Sequence, residues 1–285
     1  MTFSKAFFFF AGLAGATLVN AAAPPPSIGV SPSRLEVTVS GQTTMGSATV
    51  LNLSDRPIHV KSNVVSFDLD ESNSFRELAP EPGDLAMAMM INPVDFTIPA
   101  NGSQTVRFAI TPQRLDGEGE HRAMLFFSEL VDTSQPGVKL NFRLGMPIYA
   151  TLGETTAAAQ FNNMEFDAEH HQIELDVSST GTAQVLPKGY YLWWPATDFP
   201  SEPRAFKRVA DLAQDNNGKP PAGTSGGRIA GKPIFAGTRR SISANIAPPP
   251  GDGEYMLVVQ VNAGDEQLQQ AIRYGPTQGL GIDSD

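Results

Sequence analysis

From Ile28 onward, apolar and polar residues alternate in short runs separated by Gly, Pro, Asn, Asp and Ser, the period-2 signature of strands and turns rather than the 3.6-residue period of helices. Leu35, Val37 and Val39 alternate with Glu36 and Thr38. Further runs cover residues 49–53 and 58–67, with Ser54, Asp55 and Pro57 as turn formers between them. Val106, Phe108 and Ile110 follow a predicted turn at 99–102, and residues 123–130 form a dense apolar run. Val138, Leu140, Phe142, Leu144, Met146 and Ile148 give the longest clean alternation in the chain. Seven or so short strands in about 125 residues predict an immunoglobulin-like β-sandwich.

The alternation restarts after Gly153, with runs at 161–166, 173–177, 190–194, 242–246, 255–261 and 268–274. The fold class expected is therefore all-β, with two immunoglobulin-like sandwich domains at 24–153 and 154–276. Residues 195–232 are rich in Pro, Gly and polar side chains and are predicted to be a long loop. Residues 277–285 are Gly-rich and acidic and are predicted to be a flexible tail. A length of 285 residues accommodates two domains at roughly 100–200 residues each.

At the N-terminus, Lys5 is followed by an apolar stretch over 6–19 and by the small residues Ala21, Ala22 and Ala23. This predicts a cleaved signal peptide at 1–23. No later segment reaches the ~20 apolar residues of a membrane span, so a soluble exported protein, periplasmic in location, is expected. Its partners then lie in the cell envelope.

Charge and composition narrow the field further. With 30 acidic against 20 basic residues and a net charge of -10, the chain lacks the clustered cations that nucleic-acid binding requires. It contains no cysteine, which excludes disulfides, thiolate catalysis and thiolate metal ligands.

Three short motifs point to chemistry, and each has a plainer reading. Residues 223–227 spell G-x-S-x-G, but a nucleophile elbow needs its serine between a buried strand and a helix. The surrounding Asn216, Asn217, Gly218, Pro220 and Pro221 predict neither. His170 and His171 would face opposite sides of a strand and could not share a metal, and a surface or turn role is the plainer reading. Asp68, Asp70 and Asn73 faintly match a calcium loop, yet its sixth position is Asn73 and not Gly, and its twelfth is Ala79 and not Glu. A solvated turn is the reading preferred. No catalytic residue, metal or cofactor is assigned, and the chain is not expected to be an enzyme.

Several segments, in their order and spacing, resemble the PapD-like periplasmic chaperones of the chaperone/usher pilus pathway. They are Ile28, Gly29, Val30, Ser31, Pro32, Ser33, Arg34 and Leu35 at the first strand; Asn92 and Pro93 with Phe96, Pro99 and Gly102; Gly119, Glu120, His121 and Arg122 leading into 123–127; and the strand at 138–148. The resemblance covers nearly the whole mature chain and implies a boomerang-shaped pair of sandwiches. It also implies that the last strand of the first domain is lent to a pilin-type subunit lacking one of its own. Val138, Leu140, Phe142 and Leu144 would be the donated side chains. In the family an Arg and a Lys hold the subunit's terminal carboxylate in the cleft between domains, by charge-assisted hydrogen bonds. Arg34 matches the Arg. Pro147 stands where the Lys belongs, and Arg143 takes its place only if the strand register shifts.

The expected function is thus a periplasmic chaperone that stabilises pilus or fimbrial subunits by donor-strand complementation and passes them on, with an outer-membrane usher as a further partner. The alternative is a structural or adhesive cell-envelope protein in which the strand at 138–148 only completes its own sheet.

Overall fold

The computed structural model describes residues 27–130, 141–214, 220 and 222–275. The expected signal peptide and tail, and the donor positions Val138 and Leu140, lie outside the described residues.

The first half of the chain forms β1 (Ile28–Ser31), β2 (Leu35–Val39), β3 (Thr44–Asn52), β4 (Ile58–Leu69), β5 (Phe75–Leu78), the short helix α1 (Leu85–Ala88), β6 (Met89–Asn92), β7 (Asp95–Ile98), β8 (Ser103–Ile110), β9 (Gly119–Glu129) and β10 (Arg143–Leu152). These strands make two facing sheets, one in the order β1-β3-β8-β6 and one in the order β2-β10-β9-β4-β5, with β7 also paired to β4. The alternation read in the sequence is the alternation of burial. Ala123, Leu125 and Phe127 on β9 and Met146, Ile148 and Ala150 on β10 are fully buried against Val106, Phe108 and Ile110 of the facing sheet. Gly46 on β3 is dictated by this packing, because a Cβ there would stand 2.2 Å from the Phe108 ring. Buried Asn52 ties the sandwich end together: its amide donates to the carbonyls of Arg56, Ile98 and Pro99 at 2.7, 3.1 and 2.9 Å, and its Oδ1 accepts from the Ser54 N–H.

The second half forms β11 (Ala159–Asp167), β12 (Gln172–Ser179), β13 (Lys188–Pro195), α2 (Glu202–Gln214), β14 (Ser225–Ala230), β15 (Arg239–Asn245), β16 (Tyr255–Ala263) and β17 (Glu266–Tyr274). One sheet has the order β11-β12-β15 and the other β14-β13-β16-β17. Trp193 is wholly buried between them and donates its indole N–H to the Ala247 carbonyl at 2.8 Å.

One expectation is corrected here. The stretch 195–232 is not a long loop, since it holds α2 and β14. The outer face of β13 and β16 carries Leu192, Trp194 and Val258, and these need cover. Ala205, Val209 and Leu212, spaced four and three apart on one face of α2, provide it. His170 and His171 lie in the turn between β11 and β12, in keeping with the turn role read from the sequence, with His171 at φ 51° and His170 Nδ1 bonded to Asp167 Oδ2 at 2.7 Å. Among the described residues no helix is long and apolar enough to cross a membrane.

Candidate functional site

The chemistry available at β10 follows from what pairs with it. On one side β9 runs antiparallel along its whole length, from Arg143 opposite Ser128 to Leu152 opposite Gly119. On the other side β2 runs parallel, but only from Ile148 opposite Leu35 onward. Among the described residues, no strand pairs with that second side over 143–147.

Backbone direction alternates along a strand, so one bond fixes the rest. The Phe142 carbonyl accepts from the Glu129 N–H at 2.9 Å, which points residues 142, 144 and 146 toward β9. Residues 143, 145 and 147 therefore turn their polar groups toward the unpaired side. Arg143 and Gly145 each offer an N–H and a carbonyl there. Pro147 has no N–H to offer, and its carbonyl faces the first rung of the β2 ladder, which is why proline is tolerated inside this strand: the missing N–H falls where β2 has not yet begun to pair.

Side chains alternate with the opposite sense of use. Phe142 and Leu144 point at the first core but are only partly buried, as are Val30 of β1 and Leu35 of β2. Further along, Met146 and Ile148 are fully buried. The sandwich is thus closed at the Leu152 end of β10 and partly open at the Arg143 end.

Arg34 immediately precedes β2 and lies opposite Pro147 by extension of the register. Its guanidinium sits 4.1 Å from the centroid of the Tyr149 ring and donates from Nε and Nη2 to Glu36 Oε1 at 2.9 and 2.7 Å. About a third of the side chain, 32%, remains exposed. Arg143 is four positions from Pro147, roughly 13 Å along an extended strand. It stacks 3.5 Å over the Phe126 ring and pairs with Glu77 at 3.0 Å. The structure does not bring Arg34 and Arg143 together, because the strand keeps the unshifted register.

Beyond Arg34 lies the junction of the two sandwiches. Phe67, Tyr149 and Phe235 form a buried cluster across it, with Phe67 edge-on to both other rings. Arg122 lies 3.9 Å over Phe235, bonds the Phe67 carbonyl at 3.2 Å and reaches Asp68 at 3.3 Å. Arg240 of β15 crosses to the first sandwich, donating to the carbonyls of Leu69 and Asp70 at 2.8 and 2.9 Å. Burial pushes the Glu120 carboxyl above the usual carboxylate range, with hydrogen bonds from Gln184 pulling it back. Burial also raises the Tyr149 hydroxyl, opposed by the Arg34 charge.

Two residues of this junction went unread in the sequence. Phe235 and Arg240 follow a Pro/Gly-rich stretch, and no period marks them. Their single local signal is Phe235 closing a short apolar pair with Ile234.

The remaining motif residues take structural parts. Asp70 accepts from the N–H groups of Ser72 and Ser74 and from the Ser72 hydroxyl, bonds that pull its carboxyl below the ordinary value. Ser225 opens β14, where the sequence predicted no strand, and no helix follows it. Its hydroxyl is buried without a partner.

No protein-family model and no curated protein sequence matches the chain. Among solved structures it is similar to the YadV chaperone, at 12% identity and a TM-score of 0.46 over 87% of this chain and 100% of that one. It is also similar to a chain of the CsuC-CsuE chaperone-tip adhesion subunit pre-assembly complex from the archaic chaperone-usher Csu pili of Acinetobacter baumannii, at 11% identity and a TM-score of 0.45 over 87% and 98%. A third likeness is to a chain of the Salmonella enterica SafA pilin complex with the SafB chaperone, at 14% identity and a TM-score of 0.41 over 90% and 99%. Structures of pilus and fimbrial chaperones thus match most of the chain's length at low identity.

Proposed function

We propose that this chain is a periplasmic assembly chaperone that completes a strand-deficient, pilin-type β-sandwich along the open side of β10 and delivers it to an outer-membrane usher. The observation that carries this reading is the side of residues 143–147 that no strand among the described residues pairs, beside two partly covered apolar side chains, Phe142 and Leu144. An edge of this kind is a hazard unless something pairs with it, and β-strand addition is the recognition mode that uses it. Each new backbone hydrogen bond contributes about 0.5–1.5 kcal/mol net. Arg143 and Gly145 supply donors and acceptors, and Pro147 ends the ladder beside the Arg34 guanidinium. The donated segment extends through Leu140 and Val138 by the alternation of the sequence.

In this proposal Arg34 receives the terminal carboxylate of the subunit. It is available because its bond to Glu36 is a surface ion pair of about 0–1 kcal/mol, which an incoming carboxylate displaces at little cost. No catalytic step is involved.

Co-expression with a strand-deficient subunit, followed by co-purification from the periplasm, tests the reading. Phe142→Asp and Leu144→Asp should leave a folded protein and abolish capture, whereas Arg34→Ala should weaken capture by about tenfold, the 1.5–3 kcal/mol of a charged hydrogen bond partly offset by re-solvation. Undiminished capture by the two Asp variants would remove β10 from the site. That outcome would leave a structural envelope protein as the surviving description.

A further inference from the structure

The outer face of the β1-β3-β8-β6 sheet, on the far side of the first sandwich from β10, carries an organised apolar row. Met45 on β3 and Met90 on β6 are both register partners of Ala109 on β8, so the three residues lie in one line across adjacent strands. Their neighbours fix the direction. Met89, Phe108 and Ile110 are buried in the core, and the space beyond Gly46 is filled by the Phe108 ring. Met45, Ala109 and Met90 therefore face outward. Met45 is 75% and Met90 64% exposed, the highest values among the exposed large hydrophobic side chains described.

Burial does not account for methionine here, since neither side chain is buried. The thioether is what remains. Two strand spacings of about 4.8 Å separate the methionine Cα atoms, a gap that unbranched side chains with three rotatable bonds can close above a residue as small as alanine. Two neutral, polarisable sulfurs, if brought together over that alanine, would select soft d10 cations, Cu(I) foremost, over Mg or Ca. The chain has no cysteine to compete for such an ion, and among the described residues no group of three or more His, Asp or Glu could hold a metal.

We propose that Met45 and Met90 form a surface site for Cu(I). Arg107, two residues before Ala109 on β8 and opposite Ser47 and Asn92, is the neighbouring cation on this face. It is exposed, and water screens its repulsion. A thioether has no proton to lose, so binding is flat with pH, whereas His, Cys or carboxylate sites weaken as their ligands protonate. The site is independent of the chaperone reading.

Titration of the full chain with Ag(I), a redox-inert probe, and with Cu(I) held reduced against a chromophoric chelator decides the matter. Methionine-to-leucine exchange preserves volume and the fold. Binding should be equal at about pH 5 and about pH 7.5 and should weaken roughly tenfold or more in both Met45→Leu and Met90→Leu. Met87→Leu, removing an exposed thioether on α1 outside the three-strand register, should change nothing. The proposal is overturned by absence of binding, by unaltered affinity in either of the first two variants, by loss in Met87→Leu, or by a tenfold drop at the lower pH.

Discussion

Arg240 offers a direct measure of what holds the two sandwiches to one another. Its side chain is 14% exposed, projects from β15 of the second sandwich and donates to the Leu69 and Asp70 carbonyls of the first at 2.8 and 2.9 Å. Asp68 stands 4.0 Å from the same guanidinium. Hydrogen bonds to a charged group contribute about 1.5–3 kcal/mol each. The two carbonyls lie at the end of β4 and regain water once the guanidinium is gone, which offsets part of that sum. Arg240→Ala should therefore cost about 2–3 kcal/mol of coupling, a roughly 30- to 150-fold rise in the population with the sandwiches apart.

The chain contains a built-in probe for this. Trp193 and Trp194, its two tryptophans, both lie on β13, so intrinsic fluorescence reads the second sandwich alone while far-ultraviolet circular dichroism reads both. In urea, Arg240→Ala should lower the midpoint and separate the two signals. Arg239→Ala is the control: that neighbour is 65% exposed and pairs with Asp176 inside its own sandwich, so it should shift stability by less than about 1 kcal/mol. Identical midpoints for Arg240→Ala and the parent protein would refute the coupling argument.

Glu36→Gln should tighten subunit capture severalfold, because it releases Arg34 from its ion pair, and a competition pull-down reads the change; weaker capture would count against Arg34 as an anchor. Glu120→Gln should stabilise the protein at neutral pH and not below about pH 4. The folded-state value of Glu120 is raised by burial, so the native state holds the proton more tightly than the unfolded one, and stability falls as pH rises from the ordinary value of about 4.5 through the raised one. Thermal melts across that window should show the Gln variant losing this dependence. Ser225→Ala should keep subunit capture intact and hold or raise the melting temperature, since it deletes a buried hydroxyl without a partner; a fall in capture would reopen Ser225 as a functional residue.

Strand content was legible wherever one face of a strand meets the core and the other meets water. Over residues 143–148 of β10 burial follows the alternation read in the sequence, with Met146 and Ile148 buried, whereas β9 was legible only as a dense apolar run, because Leu125, Phe126 and Phe127 are all buried. The helix α2 was not legible. Its buried face is only Ala205, Val209 and Leu212, set between Arg, Lys and Asp and preceded by Pro200 and Pro203, and what calls it into being is the outward-facing Trp194 and Leu192 of a strand elsewhere. The junction residues Phe235 and Arg240 were invisible for the same reason, as their partners are far away in sequence.

The open side of β10 belongs to a third category, present in the sequence but readable in two ways. Pro147 registers in the sequence as the absence of an expected lysine, a loss of charge. In the fold it is first a loss of an N–H, placed where β2 has not yet begun to pair. Were that side closed by the chain's own ladder, a proline would leave an acceptor on the neighbouring strand unmatched and cost the ladder a bond. Because β2 joins only at Ile148, the proline costs the isolated protein nothing, and in the proposed complex an added strand would reach its limit there, beside Arg34. On the proposed function, one residue would thus set where a borrowed ladder ends, and the cation next to it would set what charge can stand there.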